Sequence, residues 1–188
     1  PKFPQPTTLE FLLHHFHREG DPEALTMVLT TLQGMASGGI RDHLGGGFHR
    51  YSVDDQWLVP HFEKMLYDNG LLARLFLHAH LVTGDDELRN ACVSTLDYLL
   101  EDLRHPNGGF FSARDADSEG EEGVFYLWRP GEIREALGPE RGERFCRVYG
   151  VTDSGNFEGA NILHLEESLE TVAEKEGRDF REFLEEVK

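Results

Sequence analysis

The 188 residues, 21.4 kDa and 39% hydrophobic, set the size of one domain with a core and exclude collagenous, mucin-like and wholly disordered readings. Thirty-five acids against eighteen bases give a net charge of −17, so phosphate backbones and anionic membranes are repelled, and neither nucleic acid nor membrane is expected as a partner. Two cysteines, Cys92 and Cys146, make neither a C-x-x-C pair nor a disulfide framework, and with no signal-like start the expected location is the cytoplasm.

Along the chain, Leu9, Leu12, Leu13 and Phe16 recur at helical spacing from Thr7 to Arg18, with Gly20 as the stop. Asp21-Pro22 then supplies an N-cap and a first-turn proline for a second helix carrying Leu25, Val28, Leu29, Leu32 and Met35, the antiparallel neighbour of the first. Residues 38–59 break the pattern with five glycines, three large aromatics and several charged or imidazole side chains, which predicts a functional loop. A third helix is expected from about Pro60 to Val82. A fourth, capped by Asp85, carries Leu88, Cys92, Leu96, Leu99, Leu100 and Leu103.

Phe110–Ala113 and Val124–Trp128 read as two short strands of a hairpin around 110–128, bridged by the acidic loop 115–123. Two shorter helices are expected over 131–138 and 139–149, and a loop over 150–163. The tail 166–188, with nine acids and four bases, reads as one or two surface helices around Leu169, Val172, Phe180, Phe183 and Leu184. An internal echo accompanies these elements: one helical pair ends in Gly-Gly-Gly-Phe-His-Arg-Tyr-Ser (45–52), the next in Gly-Gly-Phe-Phe-Ser-Ala-Arg-Asp (108–115). Such repetition is the signature of a stacked or circular helical-hairpin array.

The densest chemistry is the run Trp57 to Asn69. Read as a helix, it places His61, Lys64 and Asp68 on one face, with polar and apolar groups mixed all round, a pattern of buried or cavity-facing polar groups. The preceding loop offers Asp42, His43, His49, Arg50, Tyr51 and Asp54 beside Phe48 and Trp57, and acids and imidazoles next to aromatic faces suit a polyhydroxylated ligand. The bland alternative is a hydrogen-bonded structural network. Asp115-Ala116-Asp117-Ser118-Glu119-Gly120 looks like half a calcium loop, but the twelfth position is Tyr126 where a bidentate glutamate is needed. His14, His15, His17, His78 and His80 form no known metal-ligand spacing and are read as helix-surface residues, so no metal and no cofactor is expected. Phosphate-loop, dinucleotide and serine-hydrolase motifs are absent.

Four blocks in one order carry a resemblance: Pro1–Pro6, Gly38–Ser52, Pro60–Asn69 and Asp115–Gly120. Together they resemble the signature blocks of the spermatogenesis-associated thioredoxin-like proteins, over nearly all of residues 1–163. The resemblance implies an α/α toroid similar to those of six-hairpin glycosidases and N-acylglucosamine 2-epimerases, preceded by a thioredoxin-like domain outside this sequence. Twelve helices need roughly 250 residues, so the expected architecture is mainly α, an incomplete toroid over 1–163 with an acidic helical tail over 164–188. The lack of an initiating methionine is likewise expected of a domain cut from a longer chain or of a processed product. An open toroid exposes apolar faces, so self-association or a partner covering the edge is expected.

The implied function is carbohydrate-active, with a sugar-like ligand bound between the 38–69 and 110–128 segments. An epimerase-like reaction would use His61 and His49 as paired acid–base groups. A glycosidase-like one would use two carboxylates from Asp42, Glu63, Asp68, Asp115 and Asp117. Arg50, Tyr51, Trp57, Lys64, Tyr67, Asp115 and Asp117 would bind substrate. The competing readings are a noncatalytic scaffold and a redox-linked interaction module of a larger thioredoxin-like protein.

Overall fold

A computed structural model describes residues 1–118, 120–180 and 182–183. The protein is mainly α, with four two-stranded antiparallel ribbons among the described residues. Helices α1 (Pro6–Glu19) and α2 (Pro22–Ser37) form the first pair. Gly20, at φ 73, ends α1, and the Asp21 side chain accepts from the Glu23 amide at 3.0 Å to start α2. Helices α3 (Leu66–Thr83) and α4 (Asp86–Tyr98) form the second, with Gly84 and Asp85 playing the same two roles. Apolar stripes from all four helices meet in one core, where Val28, Leu32, Met35, Leu72, Leu75, Phe76 and Ala91 are fully buried. Each such large side chain contributes about 2 kcal/mol. A π-helical turn, Leu99–Leu103, extends α4.

The third helix begins six residues later than its sequence predicts. Pro60–His61 (β2) and Lys64–Met65 (β3) are extended, and α3 starts only at Leu66. Strand β1 (Tyr51–Ser52) pairs with β2, and β4 (Ala113–Arg114) pairs with β3. The two echoing loops therefore converge on one segment, because each helical pair delivers its C-terminal loop to the same end. The Arg50 amide donates to the Glu63 carbonyl (2.7 Å) and the Leu66 amide to the Ser112 carbonyl (2.9 Å), fixing the segment from both sides.

The expected hairpin is also redistributed. The tight ribbon is β5 (Asp117–Ser118) with β6 (Glu121–Glu122), whereas β7 (Leu127–Trp128) pairs with β8 (Asn161–Ile162) inside the expected 150–163 loop. Phe110–Phe111 and Val124–Phe125 are not partners in a ladder: a 3₁₀ turn occupies Val124–Tyr126. Helices α5 (Pro130–Leu137) and α6 (Pro139–Val148) follow as expected. They build a second core of Ile133, Phe145, Val148, Tyr149 and Leu163, to which α7 (Leu169–Lys175) adds Ala173 and the tail adds Phe183. The tail thus contributes to the interior, because its short apolar stripe packs against α6. Leu184 and Glu119 lie outside the described residues. Both cysteines are free and buried, and no described helix is long and apolar enough to cross a membrane.

Candidate functional site

The extended run 61–64 has a two-residue period, so His61 and Glu63 face one side and Phe62 and Lys64 the other. The residues expected on one helical face are divided between two compartments.

On the inner side Lys64 is 1% exposed. Its ammonium lies 2.7 Å from Asp42 Oδ2, donates to the Gly46 carbonyl at 2.8 Å, and sits 4.3 Å from the centre of the Tyr98 ring and 5.2 Å from that of Tyr126. The other Asp42 oxygen accepts the Leu44 and Gly45 amides, at 3.0 and 2.8 Å. Burial works to raise the Asp42 pKa, but Lys64 and the amide donors hold it below the usual carboxylate range. Burial pulls the Lys64 pKa down against the Asp42 charge. His49 is also interior, edge-on to Tyr126 and Phe62. Its Nδ1 is 3.0 Å from the Phe62 carbonyl, which can only accept, so Nδ1 carries the proton and Nε2 is left as an acceptor. Burial, reinforced by Lys64, lowers its pKa to about 3, so the ring is neutral. Asn69 ties the loop to α3, exchanging hydrogen bonds with the Phe48 amide (2.6 Å) and carbonyl (3.0 Å).

On the outer side lies an open, polar cluster. Arg50 Nη1 is 2.8 Å from Glu63 Oε2, and His61 is 2.6 Å from Glu122 through Nδ1 and 3.8 Å from Glu63 through Nε2. The His61 ring stacks on Tyr51, 5.0 Å between centroids, and Tyr51 packs on Phe3. Asp68, on the first turn of α3, interacts with Tyr67, Arg50 and Glu63. Burial, opposed by Arg50 and reinforced by the Glu63 charge, raises its pKa to about 6.

Of the residues singled out in the sequence, Arg50, Tyr51, His61, Glu63, Tyr67 and Asp68 come together here, while Asp42, His49 and Lys64 come together inside. His49 and His61 are directed into different compartments, so they do not face one ligand as a pair. Trp57 belongs to neither: it is 5% exposed in the helical core, with Lys2 Nζ 4.2 Å over its ring, and offers no free face to a sugar. Its backbone is left-handed at φ 66, which aims its carbonyl at the Ile40 amide, 3.0 Å away. Asp54 organises the same turn by accepting the Gln56, Leu58 and Val59 amides. Asp115 and Asp117 are exposed on the β5–β6 hairpin and bond locally, Asp117 N to Asp115 Oδ1 at 3.2 Å. Glu122, Tyr98 and Tyr126 were not singled out in the sequence. Glu122 was one of five acids in a run, and both tyrosines sat within apolar stripes.

Four of the helical histidines have a partner: His78 Nδ1 and His14 Nε2 lie 2.6 and 3.3 Å from the same Glu10 oxygen, His15 Nε2 lies 3.5 Å from Asp21 Oδ2, and His80 Nδ1 lies 2.8 Å from the Asp85 carbonyl. No group of three or more potential metal ligands is assembled among the described residues.

Beyond the geometry, the chain is 41% identical over 95% of its length to spermatogenesis-associated protein 20 of Homo sapiens and 39% identical over 94% to that of Rattus norvegicus. A Caenorhabditis elegans protein is 35% identical over 93% of the chain. These relatives support the family that the signature blocks resemble. The chain spans about a quarter (26%) of the length of spermatogenesis-associated protein 20. No family model matches it.

Proposed function

We propose that the outer cluster binds a hydroxylated, sugar-like ligand and moves protons on it, as a carbohydrate-active domain of the α/α-toroid type within a longer protein. The observation that carries this reading is the pairing of Asp68 with Glu63: two carboxyl groups on one face, one raised by burial to a pKa of about 6, the other clamped by Arg50. Carboxyl groups in such contrasting surroundings divide the work of acid and base. Asp68 would give the proton, Glu63 would act as the carboxylate, His61 held by Glu122 would orient a hydroxyl, and Tyr51 and Tyr67 would cover the apolar face of the ring. Two-carboxylate chemistry of the glycosidase type draws more support than epimerisation by His61 and His49.

The test is a thermal-shift screen against monosaccharides, amino sugars and short glycans, since a ligand bound only by the native state raises the melting temperature. The expected result is a shift that disappears in Asp68→Asn and Arg50→Gln variants that remain folded. No shift in the millimolar range, or a shift indifferent to both variants, overturns the reading. A noncatalytic scaffold is the second reading, favoured by the inner Asp42–Lys64 pair, whose hydrogen bonds are all made within the protein.

A further inference from the structure

Behind the extended segment lies a cavity of about 540 Å³, separate from the outer cluster. Phe62, Phe125, Tyr126, Trp128, Ile162 and Leu163 give it mostly aromatic and apolar walls. Four polar side chains, Arg41, Asp42, His43 and His49, complete the wall; the Asp42 carboxylate is already neutralised by Lys64 at 2.7 Å, so the other three define what the cavity could hold.

His43 Nε2 is 3.0 Å from the Gly38 carbonyl, so this ring, like His49, spends its proton on the backbone and keeps one bare nitrogen, Nδ1. Burial and the Arg41 charge hold His43 neutral, at a pKa of about 3. Two imidazole acceptors therefore stand in one cavity, neither charged at neutral pH. Arg41 supplies the charge. Its Nη2 donates to Ser94 Oγ at 3.2 Å and its Nη1 to the Ala36 carbonyl at 3.4 Å, while Nε is buried without a partner. Tyr149, Glu87 and Asp42, in that order, act on it electrostatically, but among the described residues no carboxylate forms an ion pair with it. A guanidinium taken from water without a carboxylate is costly, and a planar anion presented to its fork repays that cost through charge-assisted bonds.

We infer that this cavity is a second binding site, for a small aromatic carboxylate that also carries a hydrogen-bond donor. The carboxylate would meet Arg41, the ring would lie among Phe62, Tyr126 and Trp128, and the donor would reach a bare imidazole nitrogen. Cavities of this volume, largely apolar with a few convergent polar groups, suit ligands of that size. The assignment is independent of sugar binding at the outer cluster.

The probe is 4-hydroxyphenylacetate, with 4-hydroxyphenylacetamide as its uncharged twin, each titrated into the protein by calorimetry while Trp128 emission reports location. The expected result is saturable binding of the acid, at least about tenfold tighter than the amide, with a change in emission that Trp128→Phe abolishes. Arg41→Gln should remove the acid's advantage and leave the amide unaffected. No acid binding up to about 10 mM, equal affinity for acid and amide, or binding that leaves Trp128 emission unchanged overturns the assignment. The comparison of acid with amide needs no variant, so it stands even if Arg41→Gln fails to fold.

Discussion

Asp68 is 9% exposed, and its raised pKa means that ionising it at neutral pH costs folding free energy. The folded value of about 6 exceeds the ordinary 3.8, so stability contributed by the protonated form is present below 3.8 and lost as pH rises through 6. Asp68→Asn is therefore expected to stabilise the protein at pH 7 by up to about 3 kcal/mol, a gain that vanishes below pH 4 in urea titrations, while any proton-transfer activity is lost. A gain in stability together with that loss would mark a carboxyl group kept for chemistry. Lys64 predicts the reverse. Lys64→Met leaves the Asp42 carboxylate buried and unpaired, at a cost of about 3–5 kcal/mol. Asp42→Asn in the same chain should recover much of it, measured as the urea midpoint.

At the scale of elements, the helices were legible because each stripe has a single period and a marked end: Asp21-Pro22 opens α2, and Gly84-Asp85 separates α3 from α4. Trp57–Asn69 was not. A segment with one face against a cavity and the other against solvent interleaves polar and apolar groups at a period of two, and over six residues this also satisfies a helical count. The partners that make it extended, Arg50, Ser112 and Arg114, are remote in sequence, so nothing local signals them. For the same reason the sequence groups His61 with Lys64 and His49 with His61, whereas the structure sets the members of each pair on opposite sides of the segment. The loop facing this segment allows little change. Gly46 has φ 75, and a Cβ there would press on the Ser94 backbone carbonyl. Gly46→Ala should destabilise by more than 1 kcal/mol and displace the carbonyl that Lys64 uses, seen as a lower melting temperature.

For the whole molecule, His43 and His49 set the response to acid. Both are near pKa 3 when folded and 6.5 when unfolded, so their contribution is present above pH 6.5 and lost as pH falls towards 3. Asp68 opposes them between 6 and 3.8. These three groups together give, near pH 5, a loss of about 1.4 kcal/mol per pH unit as pH falls, roughly doubled in Asp68→Asn and tempered by Glu87, whose pKa burial raises, read from denaturation at a series of pH values. Val93, Leu96 and Leu100 form an exposed apolar stripe continuing from α4, and Leu77 and Leu81 another on α3. Association through them is expected to raise the scattering mass with concentration; a single-chain mass at high concentration would count against it. The ribbons add a consequence in time. Pairing β3 with β4 joins residues about fifty positions apart, whereas each helical pair closes over a short turn. Long-range closure is slow to form, so α1–α2 and α3–α4 should assemble first and the run bearing His61 to Lys64 last. Contacts that arrive last commonly open first. The backbone amides of Arg50 and Leu66 should accordingly exchange with deuterated solvent well before those in the middle of α3, making the extended run a unit that can unlatch while the helices stay folded.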